Sequence, residues 1–420
     1  MIKQLTSKKN LNQAYRQVYR NRGSAGIDDV RTTELKPILQ NYGKRFIQQI
    51  ERGQYQVSPI LGVEIPKRNG KKRLLGIPTV VDRVFQQALQ QVLQPVFEPG
   101  FQRYSYGFRP KRNAHGAIAK SLENINSGYQ YVVDIDLKSF FDEVEHYILL
   151  ELIHKKVKCK PAMKLLRSFL RAPILIDGRL HKRRKGVPQG SSLSPLLSNI
   201  LLNELDKELE KRGHRYVRYA DDFNIYVSSK KAAKRVGNSI YKFLRDKLRL
   251  PINREKSGIR KPLTFEILGF GFVPTYKKGE KGKYQLVVGS SKWKEFKEKL
   301  KHLTKKTIPA SFEERIQRIN LLVRGWINYF RPASIQGKLK KLEEWVRNRL
   351  RYCIWHHWKK SERKRKNLIR LGINPEQAYA WSRTRMGGWA VAQSPILRTT
   401  ITIKRLKMKG YVSLIEYYNR

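Results

Sequence analysis

One stretch of the sequence decides the fold: Tyr216-Val217-Arg218-Tyr219-Ala220-Asp221-Asp222-Phe223-Asn224-Ile225-Tyr226-Val227. Apolar and β-branched residues lead up to an Ala-Asp-Asp centre and away from it, which predicts a β-hairpin with two carboxylates at its tip. Asp is unfavourable in strands and adjacent anions repel each other, so a purely structural role would be destabilising. A hard cation such as Mg²⁺ would remove that conflict. For the acid pair alone, the alternative is a turn that faces solvent.

A second apolar run ends in acids at Asp134 and Asp136, after Tyr131-Val132-Val133. Its pattern predicts a buried strand, in which these two carboxylates share one face. Asp136 lies 85 residues before Asp221, so the acids can meet only through tertiary folding. The pattern indicates a metal site; the alternative is a pair of hydrogen-bonded polar residues at a sheet edge.

The charge balance indicates a polyanionic partner. The chain has 88 Lys and Arg against 34 Asp and Glu, a net charge of +54 over 420 residues. Nucleic acid is the first candidate and an anionic membrane surface the second. No apolar run is long enough to span a bilayer and no segment resembles a signal peptide. Two cysteines provide neither a disulfide framework nor a Cys-based zinc site, which favours a reducing, cytoplasmic setting.

The acids are unevenly distributed. Asp246 is the last Asp, and the segment from Trp293 to Arg420 holds 31 Lys and Arg against 9 Glu. Such a basic segment, rich in aromatic residues, is typical of a surface that contacts a phosphate backbone. The sequence therefore predicts that the metal site lies in the first part of the chain and a nucleic-acid surface in the last.

A basic hairpin is predicted between Val63 and Pro78, because Asn69-Gly70 is a strong turn signal. Lys67 and Arg73 flank this turn and could hold a triphosphate, the arginine as a planar fork and the lysine as a point charge. The alternative is a basic turn that is only solvated.

Two further segments that contain glycine have predicted structural or binding roles. The Gly186–Leu193 loop leads into a helix, predicted to be capped by Ser194, and a helix N-terminus suits a phosphate or a base-pair edge. A plain connection is the alternative. The Tyr104–Pro110 stretch surrounds Gly107 with aromatic residues, for which core packing is favoured over base stacking.

Taken together, the motifs resemble the reverse transcriptase (maturase) encoded by bacterial group II introns, most closely the compact kind associated with IIC introns. The match runs nearly end to end, and its specificity comes from the order and spacing of short motifs. These motifs are Ala25-Gly26-Ile27-Asp28, Ile65-Pro66-Lys67, Gly76-Ile77-Pro78-Thr79-Val80-Val81-Asp82-Arg83, Tyr106-Gly107-Phe108-Arg109-Pro110, Asp134-Ile135-Asp136, Phe140-Phe141-Asp142, Pro188-Gln189-Gly190, Tyr219-Ala220-Asp221-Asp222, Leu268-Gly269-Phe270 and Gly325-Trp326-Ile327-Asn328-Tyr329-Phe330.

The resemblance implies an α+β right-hand polymerase with fingers, a palm built on an antiparallel sheet, a helical thumb and a small basic C-terminal domain. It implies an N-terminal extension over residues 1–60 and fingers and palm over 61–285. A helical thumb (maturase X) would follow over 286–355, and an RNA- and DNA-binding domain over 356–420.

The resemblance also implies the catalytic site. Asp136, Asp221 and Asp222 match the family's three metal-binding aspartates, and the backbone near Ile135 and Ala220 would complete the site for two Mg²⁺ ions. Asp134 matches a non-catalytic neighbour, although the residues alone leave the choice between Asp134 and Asp136 open.

The substrate residues follow by the same resemblance. Lys67 and Arg73 match the pair that contacts the dNTP triphosphate, and Gln189 matches a loop residue near the incoming nucleotide. Phe141 matches the bulky gate that excludes a 2′-hydroxyl. The implied partners are an RNA template, a DNA or RNA primer, dNTPs and intron RNA. Lys256 could protonate the pyrophosphate; the alternative is a surface lysine.

Two departures from the family pattern matter. Ser191 stands where the family usually has a second glycine, and serine would be strained there if the position required a positive φ. There is no Cys- or His-rich nuclease segment, so any insertion activity is expected to proceed without a nuclease domain of this chain.

Three alternative functions stay open. A non-catalytic RNA-binding splicing factor would explain the basic second part, but not three intact acids beside a triphosphate clamp. A domesticated or defence-associated reverse transcriptase would share the same motifs. An RNA-dependent RNA polymerase is disfavoured because Phe141 would exclude ribonucleotides.

Overall fold

A computed structural model describes residues 1–66, 70, 72–276 and 279–420, so Lys67 and the Asn69 of the predicted turn lie outside the described residues. The chain divides into two compact units, Met1–Lys261 and Pro262–Arg420. Both mix helices with small sheets, and the predicted α+β class is confirmed.

In the first unit, helices surround two four-stranded sheets. The described helices are α1 (Ile2–Leu5), α2 (Lys8–Asn21), α3 (Leu35–Glu51), α4 (Val80–Phe97), α5 (Ala114–Asn126), α6 (Phe140–Glu143), α7 (His146–Lys156), α8 (Lys160–Arg171), α9 (Ser194–Lys211) and α10 (Lys230–Phe243). The described strands are β1 (Ile60–Pro66), β2 (Lys72–Ile77), β3 (Tyr131–Ile135), β4 (Ile174–Ile176), β5 (Arg179–His181), β6 (Arg215–Tyr219), β7 (Asp222–Val227) and β8 (Gly258–Arg260).

The sheet that carries the acids has the strand order β6-β7-β3-β8, with antiparallel pairing throughout. We call it the palm sheet. Val132, Val133 and Ile135 on β3 are buried, as are Phe223 and Ile225 on β7. Because alternate strand residues face opposite sides, the buried residues hold the sheet against its helices on both faces, and the acids lie where its apolar run ends.

The other sheet of this unit has the order β2-β1-β4-β5. Strands β1 and β2 form the antiparallel hairpin predicted from the sequence, with Pro66 opposite Lys72. Helix α4 follows, and the hydroxyl of Thr79 caps it by accepting from the Asp82 amide. This sheet and helix place Arg73 next to the loop that precedes α9.

Helix α9 is buried along most of its length, as its apolar stripe predicted. The predicted Ser194 N-cap is wrong by one residue, because Leu193 occupies the cap and Ser194 is the first helical residue. The hydroxyl of Ser194 donates to the Pro188 carbonyl instead, at 2.7 Å, and so ties the helix start to the loop before it.

The second unit begins with a three-stranded sheet and continues as helices. Its described strands are β9 (Glu266–Ile267), β10 (Phe270–Pro274) and β11 (Tyr284–Val288), and its helices are α11 (Ser290–Leu303), α12 (Phe312–Phe330), α13 (Gln336–His357), α14 (Ser361–Arg370), α15 (Pro375–Ser382), α16 (Gly388–Gln393), α17 (Pro395–Arg398), α18 (Ile403–Met408) and α19 (Leu414–Asn419). Trp326 stacks on Phe296 with ring centroids 4.1 Å apart, which joins α12 to α11. Across the described residues, no helix combines the length and apolarity that crossing a bilayer requires.

Candidate active site

The tip of the β6–β7 hairpin is a two-residue turn. Tyr219 pairs with Asp222, so Ala220 and Asp221 form the connection. Ala220 has a φ of 59°, in the left-handed region that costs a non-glycine residue roughly 1 kcal/mol or more. The surrounding contacts must therefore hold this turn in place, and they leave Asp221 at the tip with Asp222 at the first position of β7.

The strand register brings Asp136 to the same end of the palm sheet. Ile135 on β3 pairs with Phe223 on β7 in antiparallel register. The residue after Ile135 therefore lies opposite the residue before Phe223, which puts Asp136 beside Asp222. Backbone bonds fix the position of Asp136: its amide donates to Ser257 Oγ at 3.0 Å, and its carbonyl accepts from the Asn253 amide at 2.8 Å.

The acids repel each other electrostatically. Partial burial, together with the negative charges of Asp221 and Asp136, raises the pKa of Asp222 to about 6. Burial also raises the pKa of Asp221, and Asp136 adds to the shift, while Arg73 and Arg218 oppose it. The Asp222 side chain is open to solvent on one side, so water screens part of this repulsion. A bound cation would relieve the rest.

Two cations of the chain already contact Asp134 and Asp136. Lys256 Nζ lies 3.2 Å from Asp136 Oδ2, on a side chain that is largely exposed. Arg260 Nε donates to Asp134 at 2.7 Å, and Asn224 donates to the other oxygen at 2.9 Å. Asp134 is therefore held by two partners, whereas the exposed lysine is the cation that faces Asp136.

Within the described residues, no three His, Cys, Asp or Glu side chains are arranged as a ready cluster of metal ligands. The donor set nevertheless fits a hard divalent cation, since it consists of carboxylates that repel one another at one sheet end. Asp136, Asp221 and Asp222 would hold such an ion. The carbonyl of Ala220 accepts from Arg218 Nη1 at 2.9 Å and keeps a second lone pair.

A buried network supports the turn, and sequence reasoning missed it. Arg218 is fully buried and bonds to both oxygens of Asp206, at 2.6 to 3.0 Å. It also donates to Asn199 Oδ1 at 2.9 Å and to the Ala220 carbonyl. The sequence feature that could have revealed this network is a pair of opposite charges inside otherwise apolar segments. Arg218 lies in a predicted strand and Asp206 in the Leu-rich helix α9. Such a pair is stable in a core only when its members meet.

Gly107 packs directly against the turn. A Cβ at this position would lie 2.2 Å from the Ala220 amide nitrogen. The Tyr106 amide donates to the Arg218 carbonyl at 2.8 Å, and Asn199 donates to the Gly107 carbonyl at 2.9 Å. The aromatic stretch around Gly107 therefore packs against the hairpin, and only glycine leaves room for the turn.

The predicted substrate residues converge from separate segments. Arg73 Nε donates to Gln189 Oε1, although the two residues are 116 positions apart. The Gln189 carbonyl accepts from the Gly76 amide at 2.9 Å. Gly190 has a φ of 122° and lies close to the Gly76 carbonyl. The positive charge of Arg73 also acts to lower the pKa of Asp221. The structure thus brings Arg73 and Gln189 together near the acids.

Phe141 lies at the start of α6, shortly after Asp136. Its ring packs on Phe140, with centroids 5.2 Å apart, and remains half-buried. Its carbonyl accepts from the Val187 amide at 2.7 Å, which links it to the loop that carries Gln189.

Ser191 is not strained. It is not among the described residues with positive φ, whereas the preceding Gly190 is. The condition under which Ser191 would be strained, a positive φ, is therefore not met. The buried Ser191 hydroxyl donates to Gln86 Oε1 at 2.9 Å and accepts from the Leu193 amide at 3.2 Å, so the serine joins the loop to helix α4.

Two family models match the chain. "Reverse transcriptase (RNA-dependent DNA polymerase)" matches residues 65–272, which include the palm sheet and its acids. "Group II intron, maturase-specific domain" matches residues 293–372 in the helical second unit. The first match defines the class of protein: the fold is the right-hand polymerase fold of reverse transcriptases, as predicted.

Two curated proteins are similar in sequence to more than half of this chain. The protein YkfC of Escherichia coli K12 is 32% identical over 272 residues, which cover 56% of this chain and 71% of the relative. The group II intron-encoded protein LtrA of Lactococcus lactis subsp. cremoris is 30% identical over 309 residues, covering 58% of this chain and 51% of LtrA. The chain thus spans about half the length of LtrA. A telomerase structure from Candida albicans aligns with a TM-score of 0.46 and 12% identity over 85% of this chain and 69% of its own.

The chain belongs to the bacterial group II intron reverse transcriptase/maturase family, as its motifs predicted. Membership of this family implies a general dependence of the protein on a divalent metal ion.

Proposed function

We propose that this chain is an RNA-directed DNA polymerase that copies RNA into cDNA and assists the splicing of a group II intron RNA. The observation that carries the proposal is the strand register, in which Ile135 pairs with Phe223 and Asp136 lies opposite Asp222. The raised pKa values of Asp221 and Asp222 support it, because acids that repel each other favour a cation between them.

The proposed metal site consists of Asp136, Asp221 and the backbone near Ile135 and Ala220, with Asp222 as a third carboxylate that orients the others. Two Mg²⁺ ions bound there would activate the primer 3′-oxygen and stabilise the leaving pyrophosphate in an in-line displacement. The Arg218 bond to the Ala220 carbonyl keeps the turn in the orientation that this site requires.

The proposed nucleotide site lies on the Arg73 side of the acids. Arg73 would neutralise charge on the dNTP phosphates, and its bond to Gln189 orients the guanidinium for that contact. Phe141 would lie beneath the incoming sugar and exclude a 2′-hydroxyl. Lys67, the other proposed triphosphate contact, lies outside the described residues.

The proposed partners are an RNA template, a DNA or RNA primer, dNTPs and the intron RNA. The match of the maturase-specific model to residues 293–372 supports binding of intron RNA by the second unit. The division into an extension (1–60), fingers and palm (61–285), thumb (286–355) and basic domain (356–420) stays a proposal. So does a cytoplasmic location, which the two free thiols of Cys159 and Cys353 support.

Primer extension on an RNA template with Mg²⁺ tests the polymerase activity. We expect extension with dNTPs, little extension with rNTPs, and none with Asp221→Asn combined with Asp222→Asn. Unchanged cDNA synthesis by the double variant would contradict the assignment. Splicing of an intron RNA by the same variant separates the two activities, since a maturase role needs no catalytic acids.

A further inference from the structure

The second unit contains a cavity of about 690 Å³ that has no part in the proposed polymerase site. Its walls come from the loop between α11 and α12, the first turn of α12, the C-terminal ends of α13 and α14, and the segment that includes α18. Every lining residue lies between Lys306 and Lys409, within one unit. The volume is in the range of pockets that enclose a small ligand.

The wall of this cavity is strongly basic. It includes the lysines and arginines Lys306, Arg315, Lys359, Arg370, Arg405 and Lys409, besides His356 and His357. Glu313 is the one acid among the lining residues. In the described part of the unit, the ion pairs involve other cations than these six. The pKa of the exposed His356 is lowered by desolvation and by the positive charges of Lys306 and Lys359. The cavity therefore favours an anionic ligand.

Two of the arginines hold the wall in shape. Arg315 is buried and donates to the carbonyls of Leu303 at 2.5 Å and Ile308 at 3.2 Å, which fixes the loop between α11 and α12. Arg405 donates to the Leu371 carbonyl at 2.8 Å and joins α18 to the end of α14. The four remaining cations have exposed side chains and are available to a ligand.

The same wall presents apolar and aromatic side chains. Phe312 and Trp358 line the cavity and are half-buried, and Met408 lines it with 79% of its surface exposed. A planar base can stack on such side chains while its phosphates contact cations, whereas the carboxylates of an acidic peptide would contact the cations only.

We propose that this cavity binds one unpaired nucleotide of an RNA, with the base against Phe312, Trp358 and Met408 and the phosphates on the exposed lysines and arginine. The proposal rests on the proposed RNA binding of the second unit and names its subsite. Unpaired bases are the accessible part of a folded RNA, because the major groove of an A-form helix is too narrow to admit side chains. The cavity would therefore read a loop or bulge rather than a stem.

The test compares two substitutions of exposed apolar residues by the same acid. Met408→Glu places a negative charge at the cavity, and Leu321→Glu places one on α12, where 72% of the leucine surface is exposed and the side chain does not line the cavity. Binding of a fluorescent hairpin RNA with an unpaired loop, and of a blunt duplex of its stem, is measured at fixed salt. We expect Met408→Glu to weaken hairpin binding by about 5- to 150-fold relative to Leu321→Glu, with equal duplex binding by the two variants.

A second variant fills the cavity without changing charge. Ala310→Trp is expected to weaken hairpin binding and leave duplex binding unchanged. If it fails to fold, the Met408→Glu comparison still decides, since an exposed side chain tolerates substitution. Equal effects of Met408→Glu and Leu321→Glu on both RNAs would overturn the proposal. Free AMP that binds as tightly as the hairpin would also overturn it and indicate a mononucleotide ligand.

These measurements use the full chain without Mg²⁺ or dNTPs. They can therefore be interpreted even if the protein proves to have no polymerase activity.

Discussion

Arg218 Nη2 lies 2.6 Å from Asp206 Oδ2, and neither side chain has any surface exposed to solvent. The pair joins helix α9 to the hairpin that carries Asp221 and Asp222. Since Arg218 also donates to the Ala220 carbonyl, the same guanidinium connects the core to the turn. The proposed catalytic acids thus owe their position to a buried ion pair rather than to the hairpin alone.

Breaking this pair should destabilise the protein strongly. Asp206→Asn leaves the Arg218 charge buried without its partner, which should lower the free energy of unfolding by about 3–5 kcal/mol in urea titrations. Replacing both, as Arg218→Met with Asp206→Leu, should recover much of that stability, because no uncompensated charge remains. The double variant should nevertheless stay inactive in primer extension, since the Ala220 carbonyl has lost its donor. Full activity in a stable double variant would contradict the positioning role.

Gly107→Ala should disrupt the turn. The added methyl carbon would lie 2.2 Å from the Ala220 nitrogen, a contact that backbone atoms cannot relieve without moving the hairpin. We expect cDNA synthesis to fall by at least about tenfold, since small displacements of catalytic groups are costly. Gly43→Ala in helix α3 is the matched control, because no atom lies within 4 Å of its added carbon. It should retain activity and gain roughly 0.5–1 kcal/mol of stability. Equal activity of the two variants would show that the turn tolerates the displacement.

Arg73→Lys should weaken binding of the incoming nucleotide. Lysine keeps the charge but loses the planar fork that contacts Gln189 and would contact phosphate oxygens. Steady-state kinetics should show a KM for dNTPs raised by roughly tenfold, with a smaller change in kcat. Lys72→Ala is the control: this neighbouring side chain is 68% exposed and pairs with Glu64. A KM that rises equally in both variants would contradict a specific contact between the Arg73 guanidinium and the nucleotide.

The buried carboxyl of Asp82 should make stability depend on pH. Burial raises its pKa to about 6, although it accepts from Tyr55, Thr79 and the Ser58 amide. Because the folded pKa exceeds the unfolded value of 3.8, the folded state binds the proton more tightly. The free energy of unfolding should therefore fall as pH rises from about 4 to about 6, by on the order of 2–3 kcal/mol.

Asp82→Asn should reduce this dependence in urea titrations at several pH values, and the raised pKa of Asp222 should maintain the rest. Glu151→Gln removes an exposed carboxyl on α7 and should leave the slope unchanged. A slope in Asp82→Asn equal to that of the unmodified protein would assign the pH dependence to other groups.

The sequence predicted the features that depend on local pattern. The hairpin at 216–227, the strand β3 that leads into Asp136 and the basic hairpin around Arg73 all follow from alternation and turn residues. The sequence did not predict the ion pair between Arg218 and Asp206, because that contact depends on how α9 packs on the palm sheet. The close approach of Gly107 to Ala220 is likewise a contact between segments more than 100 residues apart, which no local pattern encodes. Ser191 does not take the positive φ that would strain it, whereas the preceding Gly190 does.

The choice between Asp134 and Asp136 tests the central claim most directly. Asp134 is held by Arg260 and Asn224, whereas Asp136 lies opposite Asp222 and faces only an exposed lysine among the described residues. RNA-templated cDNA synthesis should therefore fall by about 10³-fold or more in Asp136→Asn. In Asp134→Asn it should stay within about tenfold of the unmodified protein. Active Asp136→Asn together with inactive Asp134→Asn would contradict the account.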